Sequence, residues 1–128
     1  MKLETSVYYF SKLQLILFLL VYLYLGVIEI PDNIAGSFND LLFHGLGYGL
    51  LIISGLFAFP NLNYLTRLFL IFLVYSFLIE CIQYSLPHRS FSWLDMAANA
   101  TGLLVGSAIG YFSLPLLKLF RFDLKISS

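Results

Sequence analysis

The chain has 128 residues, of which 60% are hydrophobic, 18% aromatic and 11% charged, with no net charge and a mean hydropathy of +0.90. Soluble domains are roughly half apolar and about a quarter charged, so a water-soluble fold of this length is excluded and the bilayer is the expected solvent. No basic arm offers itself to nucleic acid, and the single cysteine, Cys81, excludes an internal disulfide or a multi-cysteine metal site.

A transmembrane helix needs about 20 predominantly apolar residues. In chain order, four segments meet that length: about Leu13 to Ile30, Leu41 to Phe59, Leu68 to Tyr84, and Trp93 to Phe112. Pro31, Pro60, Pro87 and Pro115 follow them, where a residue without an N–H is expected to end a helix. The first run follows Lys2 and Lys12 as a signal peptide would, but it is longer than a signal core and three more spans follow. It is therefore expected to be retained. No repeat, heptad or alternating strand pattern competes. The expected fold is all-α: a polytopic, four-transmembrane-helix bundle of one domain, with Cys81 packed as a small hydrophobe.

With both termini cytoplasmic, Lys2, Lys12, Arg67, Lys118, Arg121 and Lys125 all lie inside and Arg89 alone lies outside. This is the orientation that positive charges favour. It gathers the polar residues at one depth. Asp40 and His44 open the second helix, Glu80 and Gln83 close the third, and Asp95 and Asn99 open the fourth, while the inner half has nothing comparable.

Asp40/His44 and Asp95/Asn99 are spaced i, i+4 and Glu80/Gln83 i, i+3, so each pair shares a helix face. Gly102, Gly106 and Gly110 continue the Asp95 face, and small residues so spaced let helices approach closely in lipid. Gly47 and Ser54 repeat the pattern more weakly on the second helix. An ionisable Glu80 about one turn inside a span costs several kcal/mol unless paired or hydrated, which marks it as a site residue. Glu29, beside Pro31 at a helix end, carries little such weight.

Structural readings stand beside these. Ser92-Trp93-Leu94-Asp95 fits a capping box, Asn39 or Asp40 fits an N-cap, and Trp93, Tyr84 and Phe91 fit interfacial anchors. His88 sits in a wet loop. Arg89 fits a snorkelling charge or a partner of Glu80 or Asp95.

Together, "NDLLFHGLGYGLL" and "IECIQYSLPHRSFSWLDMAANATGLLVG" resemble the VanZ-like family of small bacterial membrane proteins over about Asn39 to Tyr111. The shared pattern is an Asp and a His on one helix, then E-x-x-Q, Arg-Ser and D-x-x-x-N-x-x-G. Here it falls on Asp40 and His44, Glu80 and Gln83, Arg89 and Ser90, and Asp95, Asn99 and Gly102. Leu41 stands where the family often has a lysine, and His88 where a glycine is common. The resemblance implies a multi-pass protein of the bacterial cytoplasmic membrane with an envelope role on the outer leaflet, linked in the family to low-level teicoplanin resistance.

The leading expectation is a protein that binds or modulates a lipid headgroup or lipid-linked cell-wall intermediate. Arg89 clamps its phosphate or carboxylate, and Gln83 and Asn99 hydrogen-bond the head. The alternatives are a membrane enzyme with Glu80, Asp95 and His44 as acid–base groups, and a structural polar network within an assembly. A proton-coupled carrier fits poorly, because no ionisable group crosses the inner half. A His among carboxylates suits a divalent metal, but no tight motif such as H-x-x-x-H is present, so no metal or other cofactor is expected. A thin bundle leaves room for a homo-oligomer or a membrane partner.

Overall fold

The computed structural model describes the backbone of residues 2–28, 37–87 and 89–126, and side chains within 6–28, 39–87, 89–113 and 115. Glu29, Pro31 and His88 lie outside the described residues, as do the side chains of Lys2, Lys118, Arg121 and Lys125. The described residues form four helices: α1 (Lys2–Val27), α2 (Ser37–Ala58), α3 (Leu65–Tyr84) and α4 (Trp93–Ile126). A single 3₁₀ turn, Leu62–Tyr64, precedes α3, and the Asn61 side chain caps it by accepting from the Asn63 N–H at 3.0 Å. No strand occurs among the described residues.

Three stretches are long and apolar enough to cross a membrane: Ser6–Val27, Asn39–Ala58 and Leu62–Tyr84. The described part of α4 is not among them, because Asp95, Asn99 and its alanines and glycines dilute its hydropathy. Two boundaries differ by more than a few residues from expectation. Helix α1 begins at Lys2, ahead of its apolar run, and Pro115 lies inside α4 instead of beyond its end. Proline costs a helix interior about 3 kcal/mol without forbidding it, and the Leu- and Lys-rich run after Pro115 restores helix propensity.

Helix faces set the packing. Leu51, Ile52, Leu56, Phe72 and Leu103 form the buried core, whereas Phe10, Ile71 and Phe112 point outward with well over half their surface exposed. An apolar exterior around a small core is the arrangement that lipid rewards and water punishes.

The tightest seam joins α2 to α4, which run parallel. A Cβ on Gly102 collides with the Gly45 carbonyl, one on Gly106 with the Gly49 carbonyl, and one on Gly110 with the Leu56 side chain. The glycines of α4 thus let two backbones touch. Their counterparts on α2 are Gly45 and Gly49, whereas Gly47 and Ser54 face α1, against Tyr22 and Gln14 respectively. Helix α3 runs antiparallel to α4, bringing its last turns beside the first turns of α2 and α4.

Candidate functional site

At that shared end His44 is the hub. Its Nδ1 lies 3.0 Å from Asn99 Oδ1, and its Nε2 lies 3.8 Å from Asp40 Oδ1 and 3.9 Å from Asp95 Oδ2. The Asn99 amide donates to Ser76 Oγ at 2.7 Å, and the Ser76 hydroxyl lies 3.6 Å from Met96 Sδ. Asn99 and Ser76 are fully buried, and a buried amide without such partners costs about 1–3 kcal/mol per unsatisfied group. The i, i+4 spacing of Asp40 and His44 aims both along one face of α2, and the glycine seam brings that face to Asp95 and Asn99 of α4.

Glu80 is buried at 1% exposure, and its role is local: Oε2 accepts the Ser92 backbone N–H at 3.0 Å. This redistributes the expected capping box. Ser92 Oγ accepts the Asp95 N–H at 3.2 Å, as an N-cap should, but the return bond to Ser92 N comes from Glu80 instead of Asp95. Asp95 is thereby released toward His44. Glu80 Oε1 has no hydrogen-bond partner.

Asn39 and Asp40 do not cap α2, which begins earlier, at Ser37. Asp40 instead sits in its first turn, where a carboxylate suits the helix dipole. Gln83 donates to the Gly26 carbonyl at 3.0 Å and ties α3 to the end of α1.

Arg89 is half-buried, its Nε has no hydrogen-bond partner, and it forms no ion pair among the described residues. The expected pairing with Glu80 or Asp95 is therefore not made. Ser90 is exposed and does not join the cluster. Tyr84 and Trp93 are exposed, and Trp93 stacks edge-on against Phe91 at 4.8 Å. Cys81 is exposed on α3, so it does not pack inside the bundle.

A cavity of about 590 Å³ opens beside the cluster. Asp40, His44, Gln83, Arg89 and Asn99 lie at its polar end, and aliphatic and aromatic side chains of α1 and α2, with Ile79 of α3, form the rest of its wall. Sites for small ligands commonly enclose about 300–1,000 Å³ with few polar groups in an apolar lining.

Ser76, Met96 and Ser92 went unread as site residues. The signal for Ser76 was a lone hydroxyl four residues before Glu80 in an otherwise apolar run; nothing marked Met96. The other half of the bundle also has a polar contact, Gln14 Nε2 donating to Ser54 Oγ at 2.7 Å, which the sequence reading passed over.

Among the described residues these features define a helical membrane protein whose His44-centred polar cluster lies at one end of its bundle. A family model described as VanZ/LLP1 matches residues 2–117, and the chain belongs to that family. No curated protein and no solved structure matches it.

Proposed function

We propose that the protein is a multi-pass protein of the bacterial cytoplasmic membrane that binds a lipid headgroup, or a lipid-linked cell-wall component, at the outer face. The observation that carries this reading is the cavity, whose polar end holds an unpaired Arg89 and whose apolar wall is open to a tail. A buried guanidinium nitrogen without a partner is costly, and a phosphate or carboxylate oxygen is its best complement. Helix α4 serves as the fourth crossing, and Lys12 and Arg67, away from the cluster, then face the cytoplasm as positive charges prefer.

The test is binding of a fluorescent anionic phospholipid, and separately of a lipid-linked cell-wall precursor, to purified protein in detergent. Arg89→Ala is expected to weaken binding about 10-fold or more, in line with the roughly 1.5–3 kcal/mol of a hydrogen bond to a charged group. Val21→Trp, on the apolar wall, is expected to weaken it by filling the tail space. Unchanged affinity in both variants sinks the proposal. In cells, the same variants are expected to reduce any teicoplanin tolerance that the wild type confers.

A second reading, an enzyme acting on such a lipid, is favoured by His44 standing between two carboxylates. In it His44 and Asp95 act as acid–base groups. Glu80 is the poorer candidate because one of its oxygens is committed to the Ser92 N–H. Mass spectrometry of a bound lipid separates the two: a changed product supports the enzyme, and unaltered lipid supports the binder.

A further inference from the structure

We infer that Asp40, His44 and Asp95 form a binding site for a divalent transition cation, of which Zn²⁺ and Mn²⁺ best suit one imidazole and two carboxylates. One ligand atom from each of the three lies within 4.8 Å of the others. Donor type favours these ions, since imidazole suits zinc and its neighbours whereas carboxylates also suit manganese.

The hydrogen-bond chain behind His44 sets its ring. The Ser76 hydroxyl accepts from the Asn99 amide nitrogen, with Met96 Sδ and the Tyr48 oxygen as the two acceptors open to its own proton. Asn99 therefore turns Oδ1 toward His44, and Nδ1 must carry the proton that this oxygen accepts. In the neutral ring Nε2 then holds a bare lone pair, facing Asp40 Oδ1 and Asp95 Oδ2. Imidazole ligands of metals are oriented in this way, through the ring nitrogen that the metal does not use.

Three electron-rich atoms that face one another form a donor set that a cation between them satisfies. A proton on Nε2 serves poorly, because charge-assisted N–H···O bonds span about 2.7–2.9 Å. Here both separations are close to 1 Å longer, at 3.8 and 3.9 Å. A tetrahedral cation with bonds of about 2.0–2.2 Å holds its donors roughly 3.3–3.5 Å apart, so modest rotations of the two aspartates complete the set. Asp40 is the freer to move, with its side chain 28% exposed.

Charge balance points the same way. Asp40, Asp95 and Glu80 gather here, with Arg89 the one permanent cation in electrostatic range of Glu80 among the described residues. Uncompensated carboxylates at this depth are costly. Asp40 and His44 both line the cavity, so the cation's remaining positions face it, where water or a ligand's phosphate completes the shell. The site rests on its own donor atoms and does not require the lipid reading.

The experiment uses full-length protein in detergent without added lipid, with Cys81→Ser to remove an exposed competing thiol. After chelation, Zn²⁺ and Mn²⁺ are titrated separately while bound metal per chain and melting temperature are recorded. One equivalent of at least one ion per chain, with a raised melting temperature, is expected. His44→Ala is expected to weaken binding about 100-fold. Asn99→Ala, which reaches the three donors through the His44 ring, is expected to weaken it by about 10- to 100-fold. Asp40→Asn, near-isosteric and partly exposed, keeps the test valid where His44→Ala fails to fold. Folded wild-type protein that takes up neither ion stoichiometrically overturns the inference, as does unchanged affinity in Asp40→Asn and Asp95→Asn together. Metal binding without lipid binding overturns the lipid reading alone, and the reverse result overturns this one alone.

Discussion

Glu80 shows how one buried carboxylate shapes a site without belonging to its centre. By accepting the Ser92 N–H it supplies the bond that Asp95 otherwise makes to its own helix start, and Asp95 becomes available to His44. Glu80→Gln keeps a carbonyl oxygen at nearly the same place, whereas Glu80→Ala leaves the Ser92 N–H bare. Thermal melts in detergent are expected to show Glu80→Ala destabilised by about 1–3 kcal/mol and Glu80→Gln by clearly less. Equal losses in the two variants argue that Glu80 acts by its charge and not as a cap. Glu80 was legible from sequence because an acid after "LIFLVYSFLI" demands an explanation. Its actual partner, a backbone N–H twelve residues away, was not, because no spacing rule reaches across a turn of irregular backbone.

Between elements, the parallel contact of α2 with α4 decides where everything else stands. It is made by backbone, so its sensitivity to added methyl groups is position-specific. At Gly102 a Cβ meets the carbonyl and Cα of Gly45, whereas at Gly45 the nearest atom, the Ala98 carbonyl oxygen, is 3.5 Å away, an ordinary contact. Gly102→Ala is therefore expected to destabilise by about 1–3 kcal/mol or more, as overpacking does. Gly45→Ala is expected to stay within about 0.5 kcal/mol, the range of substitutions that touch no special feature. Thermal melts of the two variants in the same detergent measure the contrast, and similar losses exclude backbone contact as the basis of the seam. The glycine face of α4 was visible in its periodicity, but the partner residues were not. Spacing names a face without naming what covers it, and α2 offers glycines on three faces, Gly45 and Gly49 toward α4, Gly47 toward α1 and Gly55 toward α3.

For the whole molecule, the orientation proposed from the positive charges is open to a labelling test. The cluster end holds Ser90, exposed, and the opposite end holds Asn63, exposed beside α3. In a Cys81→Ser background, Ser90→Cys is expected to react with a membrane-impermeant maleimide on intact cells, and Asn63→Cys only after permeabilisation. The reverse pattern places the cluster at the cytoplasmic face and removes the outer-leaflet reading.

Composition and hydropathy alone determined that this is a helical membrane protein, and residue spacing gathered its polar groups toward one end, because hydropathy and helix period are local properties of the chain. The family resemblance was legible for the same reason, being a set of spacings. Tertiary structure decided the rest. It parted Arg89 from the acids near it, gave Glu80 to a backbone cap, and joined Asp40 and His44 to Asp95 across two helices. It also opened a cavity between α1 and α2 that α3 and α4 help to line. Each of these depends on which helix faces meet, and that choice is made by the close packing of glycine backbones over long sequence separations, where periodicity carries no information.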